Sequence, residues 1–402
     1  MKSDATAAGG GPVVPADSAF ALDLLRGWDR FWFAPADPAT LGLIRLCGGL
    51  VTFYLILVYT FDLQPLFGKD AWLDYETVTK LRKDAPVPVM PPRFTEEPPL
   101  PEPTEEEREF VEQYKKEWGG TDPRLIYAMG NPVWSVWYHV TDPAWMMVVH
   151  VGILAAVFLF AIGFCTRLTA VLTWVGAVSY IQRAPTTLFG MDAMMMLLLL
   201  YLAIGPSGAA LSVDRLIERW LARRRGQALP VRPLATANFA LRLMQVHFCI
   251  IYMASGLSKL QGGTWWNGTA LWGVMANPSF NPLHLPAYYE FLRFLCAHRW
   301  LWEIVTTGGT LYTLGLEIGF PFLVWSPRLR WLMIAGAVLL HTGIALVMGL
   351  VGFGLFMLCL LLSFVPSDVT RRLLDNLAMR TWPQLGPQPA GGSEVASRPA
   401  WA

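Results

Sequence analysis

The chain has 402 residues, of which 54% are hydrophobic and 15% are charged, and its formal net charge at pH 7 is +1. Soluble domains average about 25% charged residues, so the composition excludes an ordinary soluble enzyme. The balanced charge also gives no indication of the basic groove expected of a nucleic-acid-binding protein. The apolar residues form long blocks, such as "MMMLLLLYLAIG" from Met194 to Gly205. Because about 20 apolar helical residues cross a bilayer, the sequence predicts an all-α, polytopic membrane protein.

The first elements in chain order are a tail and a surface helix. Residues 1–18 are rich in Ala, Gly and Pro and lack the pattern of a signal peptide, so we predict a disordered tail. Residues from Ala19 to Trp32 place Phe20, Leu24 and Trp28 at helical spacing, with charged residues on the other faces. This pattern is typical of an amphipathic helix that lies in the membrane interface.

We predict about eight membrane-spanning helices, which form a helix bundle and, with the interfacial helix, a transmembrane domain over residues 19–366. The predicted spans, in chain order, are Leu41–Thr60, Trp145–Phe164, Leu168–Thr187, Asp192–Ile204, Leu241–Leu257, Trp302–Trp325, Trp331–Met348 and Gly352–Phe364. The fourth is short for a full crossing. Residues 367–402 are predicted to form a polar tail.

One long connection separates the first two spans. Residues 62–142 are predicted to form a hydrophilic loop, whose Pro- and Glu-rich middle is extended or disordered. A helix is predicted to resume from Glu105 to Glu117. A second connection, from Lys259 to Arg299, is rich in Trp and has interfacial character.

The basic residues predict the orientation. Cytoplasmic loops of membrane proteins carry an excess of Lys and Arg. With eight spans and a cytoplasmic N-terminus, every strongly basic connection lies on the cytoplasmic side, as does the C-terminus, and the two long loops lie outside. The arginines of these connections are Arg167, Arg215, Arg219, Arg223, Arg224, Arg225, Arg232, Arg328, Arg330, Arg371, Arg372 and Arg380. We therefore expect a multi-pass protein of the cell membrane, in contact with membrane lipid.

Polar residues follow one face of two predicted spans. On the fifth span they are Arg242, Gln245, Cys249, Tyr252, Ser255 and Lys259, and on the sixth they are Thr306, Thr310, Thr313 and Glu317. Their spacing of three or four residues places each set on one helical face. Ionisable residues within spans are costly and are candidates for function. The stripes indicate either a lined interior cavity or hydrogen bonds that only hold the bundle together.

The predicted depths separate the charged residues. Lys259 ends the fifth span on the outer side, whereas Glu317 lies about 15 residues, or roughly 22 Å, below the outer end of the sixth. We therefore predict that these two do not pair, and that Glu317 forms an inner ion pair with Arg242 or Arg45.

Two further residues are predicted to approach the depth of Lys259. Asp192 opens the fourth span and is either part of the site or a carboxylate that stabilises its helix N-terminus. His341, in the seventh span, is either part of the site or a packing residue.

Several stretches together resemble one family. They are "FWFAPADPATLGLIRL", "GFCTRLTAV", "LSVDRL", "IYMASGLSKLQGGTWWNGTAL" and "LHTGIALVMGLVGFGLFML". In this order they are similar to the vitamin K-dependent gamma-carboxylases and their relatives, the horizontally transferred transmembrane domain family. The resemblance extends from about Phe31 to Phe364, nearly the whole predicted membrane region.

The resemblance implies a function and a site. It implies that Lys259 is the base, that His341 matches the family's late membrane histidine with Phe353 in register, and that Asp192 stands where the active carboxylases have histidine. It also implies a reduced naphthoquinone of the vitamin K or menaquinol type, oxygen and carbon dioxide as reactants. A glutamate side chain of a protein or peptide on the extracytoplasmic side would then be carboxylated.

Six further residues complete the predicted site. A lysine must be neutral before it can accept a proton, and burial away from water favours the neutral form. An end-of-helix position beside aromatic rings would provide that burial, and a lipid quinol would enter sideways from the bilayer. The predicted ligand-binding residues are Tyr252, Ser255, Trp265, Trp266, Thr306 and Thr310.

The sequence is consistent with other functions. The chain is alternatively a non-catalytic membrane protein of the same fold that binds a lipid or serves as a scaffold. A haem protein using His247 and His341 is a weaker hypothesis, because no paired histidine motif supports it. The sequence contains no GxxxxGK[ST] motif for nucleotide binding and no CxxC pair, and no metal site is predicted.

Overall fold

The structure is a computed structural model that describes residues 16–84, 102, 104–117, 134–184, 188–278 and 285–381. Its described part is helical, and its β-structure there consists of an isolated bridge between Ala36 and Leu234. The first nine α-helices are α1 (Ala16–Phe33), α2 (Ala39–Val58), α3 (Leu63–Phe67), α4 (Tyr75–Asp84), α5 (Glu105–Glu117), α6 (Pro143–Ile162), α7 (Thr166–Arg183), α8 (Gly190–Ile204) and α9 (Val213–Arg224). The next nine are α10 (Ala235–Lys259), α11 (Gly263–Trp266), α12 (Ala270–Met275), α13 (Pro286–Ala297), α14 (Arg299–Glu303), α15 (Gly309–Leu323), α16 (Arg330–Val347), α17 (Val351–Leu361) and α18 (Ser367–Thr381).

Four of the described helices are long and apolar enough to cross a membrane: α2, α6, α10 and α16. A fifth span is possible by length and composition if the segment Val351–Phe364 and the helix after it, which meet at a bend of 105°, count as one. Helix α8 is apolar but shorter. The all-helical class is thus confirmed, while the number of eight spans stays a prediction.

The chain divides into two compact units, Met1–Cys47 with Ile204–Ala402, and Gly48–Ala203. The second unit is built on the hairpin of α6 and α7. Asp142 caps the start of α6, where its carboxylate accepts hydrogen bonds from the backbone N–H groups of Ala144 and Trp145. Gly163, at φ +74°, ends α6 in the left-handed conformation that glycine adopts most readily. This arrangement turns the chain directly into α7.

Parts of the predicted hydrophilic loop belong to the core of the second unit. Phe67 and Trp137 are buried against Tyr180 of α7, and Arg183 donates to the carbonyls of Gly68 and Leu73 at 2.6 and 2.8 Å. The predicted helix Glu105–Glu117 is confirmed. Most of the Pro- and Glu-rich stretch lies outside the described residues, as does most of the predicted N-terminal tail.

The first unit contains the longest described helix, α10, which packs along α15 and against α1 and α17. The predicted surface helix is confirmed as a helix by α1, whose Leu24 and Trp28 are exposed. Its last carbonyls, on Phe31 and Trp32, accept hydrogen bonds from the Asn238 side chain of α10.

The predicted C-terminal tail begins as a helix. Helix α18 starts at Ser367, and Arg371 on it forms a two-bonded ion pair with Asp37 at 2.6 and 3.0 Å. The start of the predicted tail is thus attached to the loop between α1 and α2.

Candidate functional site

The polar stripe of α10 faces other helices of its own unit. Gln245 donates to the carbonyl of Ser363 at 2.7 Å, and Tyr252 and Ser255 reach side chains of α16 and α15. Gly256 allows this close approach, because a Cβ there would lie 2.8 Å from the Ile318 side chain. The stripe therefore serves interhelical contacts along most of its length.

The C-terminal end of the stripe on α10 forms an ion pair. Lys259 Nζ lies 2.7 and 2.9 Å from the two carboxylate oxygens of Glu317, and 2.6 Å from Ser255 Oγ one helical turn earlier. The Lys259 side chain is 21% exposed, and the Glu317 side chain is 8% exposed. Ser255 also donates to Glu317 at 3.3 Å. One ammonium, one carboxylate and one hydroxyl thus meet between α10 and α15.

This pairing corrects the prediction that Lys259 and Glu317 lie too far apart in depth. The prediction set the start of the sixth span, Trp302, level with Lys259, but α14, a π-helix at Ile304–Gly308 and α15 follow one another without a break. Glu317 lies beside Gly256, where a Cβ would be 3.2 Å from the Glu317 side chain, and Gly256 is less than one turn before Lys259. The lysine side chain bridges the remaining distance by extending back along α10.

The predicted partners of Glu317 are engaged elsewhere. Arg45 donates to the carbonyls of Ser207, Ala210 and Leu211, which fixes the turn before α9. Arg242 donates to the carbonyl of Phe31 at 3.1 Å and to Gln245 at 2.8 Å. Both guanidinium groups thus bind backbone carbonyls, and neither forms an ion pair with Glu317, whose ion-pair partner among the described residues is Lys259.

The two predicted tryptophans differ in their relation to Lys259. The ring of Trp265 lies 5.4 Å from Nζ, within cation–π distance. Trp266 is 73% exposed and donates its indole N–H to the carbonyl of Leu260 at 2.6 Å. The ammonium therefore has an aromatic wall on one side, formed by Trp265 alone.

Tyr252 and His341 form a second polar contact, about two turns below Lys259 along α10. The tyrosine hydroxyl and Nε2 of His341 lie 2.8 Å apart, and both residues are buried. His341 Nδ1 is buried and has no hydrogen-bond partner among the described residues. The ring of Phe353 lies 5.8 Å from that of His341, and Gly354 allows α17 to pack against the His341 carbonyl.

The predicted threonines bind their own helix backbone. Thr306 donates to the carbonyl of Trp302 at 2.7 Å, and Thr310 to that of Thr306 at 2.8 Å. Thr313 likewise donates to the carbonyl of Gly309 at 2.9 Å. Since each hydroxyl proton is committed one turn back, these groups remain available to a ligand as acceptors only.

Asp192 belongs to the second unit. It is 8% exposed and accepts the backbone N–H of Phe189 at 3.0 Å, in the first turn of α8. This contact matches the alternative in which the carboxylate stabilises its own helix N-terminus. Lys259, Glu317 and His341 are by contrast in the first unit.

Two features of the structure were missed by the sequence reasoning. Glu317 is the partner of Lys259, and the signal for it was a carboxylate on the polar face of the next span. In the second unit, buried His150 bridges the hydroxyls of Thr60 and Tyr180 at 2.8 and 2.7 Å. No periodic pattern of polar residues accompanies His150 in the apolar sequence of α6.

No three His, Cys, Asp or Glu side chains within the described ranges are placed to share one metal ion. The haem hypothesis therefore gains no support from a donor cluster there. His341 directs one ring nitrogen to Tyr252. The pairing of His247 with His341 around a haem stays an untested hypothesis.

Comparison with known proteins identifies the family. A model of the HTTM domain matches residues 112–368, which include Asp192, Lys259, Glu317 and His341. No curated protein and no solved structure matches the chain. The domain match and the apolar helices together indicate an integral membrane protein. Since the match covers more than half of the 402 residues, the chain belongs to the HTTM domain family.

Proposed function

We propose that this protein is a membrane enzyme of the gamma-carboxylase type, in which Lys259 and Glu317 together handle the proton that starts the reaction. Its reactants are a reduced naphthoquinone from the bilayer, oxygen and carbon dioxide, and its substrate is a glutamate side chain of a protein or peptide on the extracytoplasmic side. The observation that carries the proposal is the ion pair of Lys259 and Glu317, at 2.7 Å.

The environment of this pair supports a functional role. Removing an ammonium and a carboxylate from water costs several kcal/mol for each ion, so a buried ion pair is weak evidence for stability alone. Ionisable residues inside membrane helices are costly and mark functional sites. Ser255 and Trp265 add one hydrogen bond and one cation–π contact to the ammonium. The pair is thus held in one geometry by two further side chains, Ser255 and Trp265.

The same pair satisfies the chemical requirement on a lysine base. A base must be neutral before it accepts a proton. Glu317 can take one proton from the Lys259 ammonium across the 2.7 Å contact, which leaves an amine and a carboxylic acid, both neutral. An apolar surrounding favours this neutral pair over the separated charges. Lys259 then has a lone pair with which to accept a proton from a bound substrate.

We propose that a hydroquinone binds beside this pair. Its hydroxyl groups need polar partners, and the orphaned Nδ1 of buried His341 is one such partner, while the Lys259 amine is another. Trp265 offers an aromatic face beside the lysine. When bound, a reduced naphthoquinone supplies acidic hydroxyls and the electrons that reduce oxygen. Lys259 holds the proton, Glu317 exchanges it, and Trp265 limits the access of water on one side.

A specific observation favours the alternative, a non-catalytic protein that binds a lipid or acts as a scaffold. The hydroxyls of Thr306 and Thr310 are bonded within their helix, and Tyr252 is bonded to His341. In that alternative the polar stripes only join helices. It requires that Lys259 be replaceable without functional loss when the fold is kept.

Oxygen consumption separates the two functions. Purified protein in lipid nanodiscs receives reduced menaquinone or reduced vitamin K, and oxygen uptake and quinone epoxide are measured for wild type, Lys259→Ala and Glu317→Gln. Lys69→Ala, at an exposed lysine outside the site, is the matched control. We expect uptake by wild type and the control, and at least a hundredfold loss in Lys259→Ala. Equal uptake by all variants, or none by folded wild type with either quinol, would refute the enzyme proposal.

A further inference from the structure

The second unit contains a cavity that the proposed reaction does not use. Its volume is about 390 Å³, and it lies between α2, α3, α7 and the start of α8. Its lining is mostly apolar and aromatic, and Asp192 is the charged residue among the described residues that line it. We propose that this cavity binds an organic ammonium group, with Asp192 as counter-ion and aromatic rings as the wall.

The aromatic wall consists of three rings in mutual contact. Tyr59 lies 5.2 Å from Phe67 and 5.3 Å from Tyr180, and Phe67 lies 5.0 Å from Tyr180, measured between ring centroids. The negative faces of such rings attract cations, and clusters of them recognise substituted ammonium groups. The hydroxyl of Tyr180 is bonded to His150 at 2.7 Å, which fixes one ring of the wall. The wall thus provides a surface suited to a cation rather than an anion.

The charge of Asp192 is not balanced by a basic residue. No lysine, arginine or histidine of the described part lies within ion-pair distance of it, and its oxygen Oδ1 accepts no hydrogen bond from another described residue. The two buried basic residues described in this unit bind other groups: Arg183 donates to the carbonyls of Gly68 and Leu73, and His150 is bonded to Thr60 and Tyr180. A buried carboxylate without a cation is costly, so a bound ammonium would complete the site.

The lining selects among ligand classes. An anion would be repelled by Asp192, and a divalent metal ion would find one carboxylate where it takes several oxygen ligands. A neutral apolar group would fill the space without using the carboxylate. An ammonium with methyl or alkyl substituents matches both the aromatic wall and the carboxylate, because its substituents contact the rings and its charge pairs with Asp192. A volume of about 390 Å³ accommodates such a group with a short chain.

Binding of a cation and of its neutral isostere tests the proposal. The probes are radiolabelled benzyltrimethylammonium and neopentylbenzene, which have the same shape and differ in charge, and equilibrium dialysis measures their binding to the full chain in phosphatidylglycerol nanodiscs. We expect the cation to bind to wild type and Asp192→Asn to weaken it at least tenfold. Asp142→Asn, at a carboxylate that also caps a helix in the same unit, should leave binding unchanged.

A second variant tests the aromatic wall. Tyr59→Phe keeps the ring and should retain binding, whereas Tyr59→Leu should weaken it. Equal binding of the two probes to wild type, an unchanged affinity in Asp192→Asn, or no binding of the cation to folded wild type would each overturn the proposal. These readouts do not depend on the oxygen-consumption assay, so the two proposals can fail separately.

The ammonium group has two possible sources with the same chemistry, a lipid headgroup and a free amine. A short-chain phosphatidylcholine, added below its micelle concentration, distinguishes them against a short-chain phosphatidylglycerol as control. Displacement of the probe by the choline lipid alone assigns the site to a lipid headgroup. Retention of the probe against both lipids assigns it to a free amine. Displacement by both lipids equally would contradict recognition of the ammonium charge.

Discussion

Replacing the two charged residues of the site with apolar ones of similar size tests the geometry on which the proposed function rests. Lys259→Met leaves the Glu317 carboxylate, whose side chain is 8% exposed, with only Ser255 as a polar partner. Two unit charges 2.7 Å apart attract by about 6 kcal/mol at an effective dielectric constant of about 20. Part of this attraction is offset by the cost of removing both ions from water. When one partner is lost, the ion that remains still carries its own share of that cost.

Breaking a buried pair by removing one partner costs about 3–5 kcal/mol. We therefore expect Lys259→Met and Glu317→Leu each to lower the free energy of unfolding by about that amount. The double variant should lose less than either single one, because it leaves no uncompensated charge. The coupling free energy between the two positions then has the opposite sign to the single losses.

The assay is unfolding in mixed micelles at rising sodium dodecyl sulfate, followed by tryptophan fluorescence. Arg299→Met and Glu303→Leu form the matched control cycle, because this pair has a similar N–O distance of 2.8 Å but side chains that are 86% and 51% exposed. The control should change stability by only about 0.3–0.5 kcal/mol. Additive losses at Lys259 and Glu317, with a coupling no larger than that of the control, would refute the geometry.

Three further predictions concern other parts of the fold. Gly256→Ala should destabilise the protein by about 1–3 kcal/mol, because the added Cβ lies 2.8 Å from a side chain of α15; Gly343→Ala, with open space around it, should be neutral or stabilising in the same unfolding assay. Arg45→Leu should cost about 3 kcal/mol by leaving buried carbonyl groups without a donor, and a cost under about 1 kcal/mol would contradict this. The hydroxyl and N–H of Thr77 hold the pKa of Asp74 below its usual range. These hydrogen bonds therefore stabilise the folded protein at pH values above the unfolded pKa of Asp74, and this stabilisation is lost as the pH falls through the lower folded pKa. In Thr77→Val, NMR titration should show a higher pKa for Asp74, and an unchanged pKa would contradict the assignment.

The features of the site that follow from local periodicity could be predicted from the sequence. The spacing of Tyr252, Ser255 and Lys259 places them on one face of an uninterrupted apolar helix, and the structure directs that face toward α15 and α16. Apolar blocks of sufficient length likewise indicate membrane spans. Such patterns depend on residues within one helix, and this is why they are readable without knowledge of the partner elements.

The pairing of Glu317 could not be predicted, because it depends on which part of α15 lies beside the end of α10. In the structure Gly256 lies against Glu317 and Ile318. A single sequence does not give the relative position of two helices along their axes, and this position decided the partner of Lys259. A single sequence also does not indicate that Phe67 and Trp137, from a loop rich in polar residues, pack into the core of the second unit.

Infrared spectroscopy detects directly whether a proton is exchanged between Lys259 and Glu317. Difference spectra are recorded on the protein in nanodiscs with and without reduced menaquinone, for wild type, Glu317→Gln and Lys259→Ala. We predict that a protonated carboxylic acid band changes on quinol addition in wild type and that this change is missing in Glu317→Gln and in Lys259→Ala. A wild-type spectrum without a carboxylic acid change, or one that persists in Glu317→Gln, would contradict proton exchange between these two residues.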